Sequence, residues 1–373
     1  MSRLRGLFLA FLVSAIGLLP GPVVAAESCK LTPVAALPLL RSVTNLPIVP
    51  AHIDDRWSWL IIDTGAIRSL IFSHAADALN LPRSDLRKEL DQVASLGGAP
   101  PAQIVRRGRG SFSGVPMTAP PPIDTSKILM LNQLQTDPLS IYGAGGQAIH
   151  EQTPGQHVQL GKLDFPDVAF LVVPDSATNT GEVAGMFGMA SLRGYDIELN
   201  LAQHWINLFS QDHCDGKVVY WSQSYLAAPI RVNENGQLLV EVKLDGQSLW
   251  AMIDSGASHS SIRQGDASWL FGISPQSPGA EVIGTTVSAD GGVLTTYRVP
   301  FHTLEMAGVT FHNPEIHVLP DIKGISLPDR ATALRRGDPI MTLGVEELTK
   351  LRLYLAIKER MLYLTPAEPE QPT

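Results

Sequence analysis

The feature that most constrains this chain is a short phrase written twice. Asp63-Thr64-Gly65-Ala66 follows the apolar run Trp59-Leu60-Ile61-Ile62, and Asp254-Ser255-Gly256-Ala257 follows Trp250-Ala251-Met252-Ile253. In each case an apolar strand ends in an acid, a hydroxyl residue and a glycine. A second apolar stretch comes next (Ser69-Leu70-Ile71-Phe72; Ser260-Ser261-Ile262). One such triplet in a chain of 373 residues carries little information. Two in matching context imply two half-sites, each lending one carboxylate to a shared centre.

The surrounding elements repeat as well, so the whole chain reads as an internal duplication. The first unit opens with a strand from Pro47 to Ile53, a turn at Asp54-Asp55-Arg56, and a strand from Trp57 into Asp63. The second opens with Gln237 to Leu244, a turn at Asp245-Gly246, and a strand from Ser248 into Asp254. Asp-Gly between alternating apolar runs is a strong hairpin signal. The units also end alike: Met186-Phe187-Gly188 and Thr342-Leu343-Gly344 each precede a short helical stretch and a final pair of strands. The expected boundaries are 27–213 for the first lobe, 214–227 for a link, 228–364 for the second lobe and 365–373 for a disordered tail. Residues 97–137, rich in Gly, Pro and Arg, read as an insertion in the first lobe. The arginines Arg106, Arg107 and Arg109 there fit a solvated loop better than a docking patch.

Two carboxylates sharing one proton can hydrolyse a peptide bond without a metal or a covalent intermediate. The ionised one takes a proton from water while the protonated one donates to the carbonyl oxygen. Like charges a few Å apart do not ionise together easily, so their pKa values are driven apart and the pair titrates as a unit. Gly65 and Gly256 let two turns approach face to face, and Thr64 and Ser255 carry hydroxyls able to lock one turn to the other.

On these motifs the chain resembles the pepsin/retropepsin superfamily of aspartic peptidases, in a tandem single-chain form, over most of residues 40–364. The resemblance implies a mostly β fold: two retropepsin-like β-barrel lobes in tandem, each with a short helix, and a cleft between them. It implies Asp63 and Asp254 as the catalytic dyad, supported by Thr64, Gly65, Ala66, Ser255, Gly256 and Ala257. Ala after each triplet is the retroviral pattern; the absence of a hydroxyl there favours a higher dyad pKa and activity at mildly acidic to near-neutral pH. A flap hairpin is expected in each lobe, with Tyr142, Gly143, Gly145 and Gly146 as candidates in the first and Gly284 in the second. No metal or cofactor is expected. A chain holding both half-sites has no need to dimerise, so a monomer acting on a peptide or protein substrate is expected.

The formal net charge of −8 argues against a nucleic-acid partner, which usually requires a basic face. Ser2-Arg3-Leu4-Arg5, the apolar run Leu7 to Leu19 and Val24-Ala25-Ala26 form an export signal over residues 1–26. The expected location is therefore periplasmic or secreted, with no stable membrane insertion after cleavage. The alternative is an anchor through an uncleaved N-terminal segment. An isolated cysteine pair in an exported protein favours one disulfide, here Cys29–Cys214, over two unpaired thiols. The competing reading of function is a catalytically silent peptide-binding or scaffold protein built on the same duplicated fold.

Overall fold

The computed structural model describes residues 30–40, 45–86, 88, 141–142, 148–175, 183–233, 236–287, 292–321 and 330–368. The export signal, Cys29, the 97–137 insertion and the glycines Gly143, Gly145 and Gly146 lie outside the described residues, as do residues 369–373.

The first half runs β1 (Pro33–Pro38), β2 (Ile48–Ile53), β3 (Arg56–Asp63), β4 (Ser69–Phe72), helix Ser73–Ala78, β5 (Ser84–Asp85), β6 (Ile141–Tyr142) and β7 (Ala148–Ile149). It continues with β8 (Glu151–Leu160), β9 (Leu163–Val173), β10 (Val183–Gly188), helix Met189–Leu192, β11 (Tyr195–Asn200) and β12 (Trp205–Ser210). The second half runs β13 (Leu226–Val232), β14 (Leu238–Leu244), β15 (Gln247–Ile253), β16 (Ser260–Arg263), helix Gln264–Phe271, β17 (Glu281–Val287) and β18 (Val293–Arg298). It ends with β19 (Thr303–Met306), β20 (Val309–His312), β21 (Ile316–Leu319), helix Arg330–Arg336, β22 (Met341–Leu343), helix Val345–Leu348, β23 (Leu351–Ala356) and β24 (Met361–Pro366).

Lobe one is a seven-stranded sheet in the order β2-β3-β10-β4-β9-β8-β5, closed into a barrel by pairing of β8 with β2. Lobe two repeats the plan as β14-β15-β22-β16-β21-β18-β17, with β19 and β20 attached to β14. The long hairpin of lobe one, β8–β9, shifts register at two places, between Thr153 and Gln156 and between Gln156 and Val158. Lobe two divides the matching stretch into separate short strands, β18 to β21. Between the lobes, β1-β12-β11-β23-β24-β13 form one continuous run that passes into β14. The pairs Ile197↔Leu355 and Leu199↔Leu353 join the closing strands of the two repeats.

Alternation explains why these segments become half-buried strands. In β14 the residues Val240, Val242 and Leu244 are buried while Glu241 and Lys243 face solvent. The hairpins at the lobe entrances turn through residues with positive φ: Asp54 and Asp55 in lobe one, Asp245 and Gly246 in lobe two. Two consecutive residues of that kind define the tight turn whose twist suits a hairpin. One large apolar core runs through both lobes and includes Leu60, Ile62, Phe187, Ile253, Leu343 and Leu353. A second cluster lies on the other face of the lobe-one sheet, where Ile48, Ile61, Ile149 and Leu171 meet Trp59, Leu70 and Met186.

Two segments differ from expectation. The last strand reaches Pro366, with Thr365 opposite Arg352, and the Ala367 N–H donates to the Lys350 carbonyl at 2.9 Å. The start of the segment expected as a tail is thus held in the sheet, because Trp221 Nε1 also donates to Thr365 Oγ1 at 3.0 Å. β13 begins at Leu226, inside the expected 214–227 link, because Leu226 pairs with Leu364.

Candidate active site

Asp63 closes β3 and Asp254 follows β15, so each acid sits where a buried strand opens into a turn. The turns meet at a pseudo-twofold axis and hold one another through four reciprocal hydrogen bonds. The Thr64 N–H donates to Ser255 Oγ at 3.1 Å, and the Ser255 N–H donates to Thr64 Oγ1 at 3.0 Å. The Thr64 hydroxyl donates to the Ile253 carbonyl at 2.8 Å, and the Ser255 hydroxyl donates to the Ile62 carbonyl at 2.6 Å. Both side chains are wholly buried. Each hydroxyl therefore serves as donor and acceptor at once and leaves no backbone group unpaired at the junction.

Glycine is required on both sides of the axis. A Cβ on Gly65 would lie 2.3 Å from the Asp254 carboxyl carbon, and one on Gly256 would lie 2.4 Å from that of Asp63. Each acid thus packs against the opposite turn where a side chain would otherwise stand. Asp63 Oδ1 accepts the N–H groups of Gly65 at 2.9 Å and Ala66 at 2.8 Å. Asp254 Oδ1 accepts that of Gly256 at 2.9 Å.

These surroundings shift both acids. Burial raises Asp63 above the usual carboxylate range, opposed by the Ala66 N–H, the Asp254 carboxyl and the Gly65 N–H, which favour its charge. Asp254 is pushed well above that range, first by burial and then by the negative charge of Asp63. The two carboxyls therefore share one proton and titrate as a pair.

Strands beside the turns complete the frame. β10 lies parallel to β3 with Gly188 opposite Asp63, and β22 lies parallel to β15 with Leu343 opposite Ile253. A Cβ on Gly188 would come within 2.6 Å of the Arg68 carbonyl carbon, and one on Gly344 within 2.4 Å of that of His259. This close passage lets the following helices donate to the turns: Met189 N–H to the Ala66 carbonyl at 2.9 Å and Val345 N–H to the Ala257 carbonyl at 2.8 Å.

The structure brings together all eight expected residues of the two turns. It also adds a pair that the sequence reading passed over. Ser69 Oγ accepts the Gly188 N–H at 3.1 Å, and Ser260 Oγ accepts the Gly344 N–H at 3.0 Å. Each serine stands six positions after its aspartate, so the offset itself was the available signal. Behind Ser260 lies the buried Glu347, whose Oε2 accepts the Ser260 hydroxyl, and burial raises that carboxyl. His259 stacks on His317 with ring centroids 4.1 Å apart and bonds to Glu346 at 2.9 Å.

Of the flap candidates, Tyr142 and Gly284 lie among the described residues. Tyr142 lies in β6, which pairs with β7. Gly284 lies within the arm of the β17–β18 hairpin, at φ +125° beside a register shift, and not at its bend. Cys214 stands between β12 and β13; its expected partner Cys29 is outside the described residues.

A bilobal β fold that joins two Asp-Thr/Ser-Gly turns at one axis defines the class of two-lobed acid proteases. Residues 240–346, which hold Asp254 and the β22 step, match the family described as aspartyl protease. That match lies within the second lobe and supports a place in the aspartic peptidase superfamily. The chain is similar to a retropepsin-like aspartic protease from Rickettsia conorii at 19% identity and TM-score 0.26, covering 38% of this chain and 99% of that one. It is similar to Basic 7S globulin from soybean at 10% identity and TM-score 0.42, covering 91% and 96%. It is also similar to an aspartic proteinase from Irpex lacteus at 11% identity and TM-score 0.43, covering 90% and 97%. No curated protein sequence matches the chain.

Proposed function

We propose that this protein is an aspartic endopeptidase in which Asp63 and Asp254 activate one water by general acid–base catalysis. The observation that carries the reading is the face-to-face placement of two carboxyls, Asp63 buried and Asp254 half-buried, each against the glycine of the opposite turn. The ionised carboxylate of the pair takes a proton from the water as the water oxygen attacks the scissile carbonyl carbon. The protonated carboxyl gives its proton to the carbonyl oxygen, so a neutral tetrahedral diol forms. The newly protonated acid then gives its proton to the amide nitrogen while the other takes one from a diol hydroxyl, so the C–N bond breaks and the pair returns to its starting state. The reciprocal bonds of Thr64 and Ser255 keep the two carboxyls at a fixed separation, which is what preorganised acid–base catalysis needs.

The same proposal places the enzyme outside the cytoplasm, as a monomer with residues 1–26 removed and Cys29 bridged to Cys214. Intact mass of the exported protein tests both the cleavage and the bridge.

The deciding experiment incubates the protein with a proteome-derived peptide library from pH 3 to pH 8, beside Asp63→Asn and Asp254→Asn. New termini made by wild type and by neither variant support the peptidase. Peptide binding without cleavage at any pH supports the silent binding module in its place.

A further inference from the structure

The strands beside the dyad carry matching rows of residues, and the rows differ in chemistry. In lobe one the register runs Ile48↔Ile61, Ile61↔Met186, Met186↔Leu70, Leu70↔Leu171 and Leu171↔Gln152. In lobe two it runs Leu239↔Met252, Met252↔Thr342, Thr342↔Ser261, Ser261↔His317 and His317↔Arg298. Side chains two apart on a strand share a face. Ile61 shares its face with Asp63, and Met252 shares its own with Asp254. Their strand neighbours Leu60, Ile62, Ala251 and Ile253 turn the other way, into the main core. Both rows thus lie on the face that presents the carboxyls.

These rows border open space. Leu70, Met186, Met252, Ser261 and Thr342 are all part-exposed, although the residues flanking them in sequence are buried. The lobe-one row packs with Ile149 of β7, so it lies at the base of the β6–β7 hairpin. At the matching place in lobe two, β18 of the β17–β18 hairpin pairs with β21 beside His317.

The lobe-one wall is apolar from Ile48 to Leu171. The lobe-two wall becomes hydrogen-bonding at Thr342. The hydroxyls of Ser261 and Thr342 have no hydrogen-bond partner among the described residues. His317 is 9% exposed, and its buried Nε2 has no hydrogen-bond partner; the nearest carboxylate oxygen, on Glu315, is 3.6 Å away. A wall of this kind favours a substrate group that completes those hydrogen bonds, because an apolar group leaves them unmade.

Resting on the peptidase reading, we infer that the cleft is two-sided in its chemistry. Leu70 and Met186 receive a large apolar substrate side chain on one side of the scissile bond. Thr342, Ser261 and His317 select a shorter hydrogen-bonding side chain on the other.

The test compares cleavage-site profiles of wild type with two reciprocal double variants, using the full chain and a randomised peptide library. One double variant, Ser261→Leu with Thr342→Met, gives lobe two the lobe-one residues. The other, Leu70→Ser with Met186→Thr, does the reverse. Wild type is expected to prefer an apolar residue on one side of the cut and a polar one on the other. The lobe-two variant is expected to raise relative kcat/KM for peptides apolar on both sides by about tenfold, the scale of a few methylenes in a pocket. The lobe-one variant is expected to alter only the opposite side. Should a double variant fail to melt cooperatively, Ser261→Ala and Thr342→Val remove the hydroxyls at nearly constant volume, and loss of the polar preference is expected from them. Equal preferences on both sides of the cut, or a variant that changes both sides alike, overturn the inference while cleavage blocked by Asp63→Asn keeps the peptidase reading. Absence of cleavage by folded wild type overturns both.

Discussion

The two lobes agree closely at the dyad and diverge one layer behind it. At the axis the reciprocal bonds and close approaches match: Thr64 with Ser255, Gly65 with Gly256, Ser69 with Ser260, Gly188 with Gly344. Behind the axis the counterparts differ. Among the described residues no acid bonds to Ser69 as the buried Glu347 does to Ser260. The paired residues Leu70 and Met186 are apolar, whereas their counterparts Ser261 and Thr342 carry hydroxyls. Geometry that must be shared between halves is kept alike, while the surroundings that tune charge and contact are free to separate.

The comparison breaks most completely at the acids. Asp63→Asn and Asp254→Asn should each lower peptide cleavage by about 10³-fold or more, since general acid–base assistance alone is worth 10²–10⁴. Single-turnover assays with a cleaved library peptide measure it. Next come the glycines, where symmetry predicts equal damage. Gly65→Ala and Gly256→Ala each drive a methyl into the opposite carboxyl. Each should cost about 10²-fold in kcat, the scale of a 1 Å misplacement. A large difference between the two would show that one turn yields more than the other.

The junction hydroxyls come third. Thr64→Ala or Ser255→Ala orphans one buried N–H and one buried carbonyl, and each should destabilise the protein by about 1–3 kcal/mol. Chemical denaturation of the two single variants and the double variant measures the coupling. A fully additive double variant would contradict a shared network.

The sign of the pKa shifts supplies a fourth test. Both acids are raised by burial, so the folded state binds protons more tightly than the unfolded state. The dyad's contribution to stability is therefore full below the ordinary carboxylate pKa and falls as pH rises through the folded values. Asp63→Asn or Asp254→Asn removes a raised group, so each should raise Tm relative to wild type at pH 7, with the gap closing toward pH 3. The same shifts move the acid limb of the pH–rate profile upward, and an optimum near pH 2–3 would contradict them. The smallest effect expected is that of Glu347→Gln, within about 1 kcal/mol. Amide for carboxyl keeps an acceptor for Ser260 and removes a charge that burial already disfavours.

Much of this arrangement was legible in the sequence because the repeat wrote it twice. The triplets located the acids, and Asp245-Gly246 marked a hairpin that Asp54-Asp55 reproduces with the same positive φ angles. The support from Ser69 and Ser260 was present as an equal offset but went unread, since a serine at the head of an apolar strand has no chemistry until its neighbour is known. The wall rows were not legible at all. They depend on parallel pairings such as β4 with β9 and β16 with β21, whose partners are far apart in sequence. His259 and His317 likewise meet only through that register. The pairing of β11 with β23 escaped for the same reason, as local pattern specifies a strand's faces and leaves its neighbours open.

The sheet between the lobes also sets a clock. Its strands come from both ends of the described chain, with β1 at one edge and β24, the last strand, seated between β23 and β13. The barrel of lobe one closes on its own pairings within β2 to β10 and needs nothing made later. The partners of Thr64, by contrast, are Ser255 and Ile253 in the other half. Domains emerging during synthesis fold in order. The growing chain therefore carries a finished half with a solitary acid until the turn at Asp254 and Ser255 has been made.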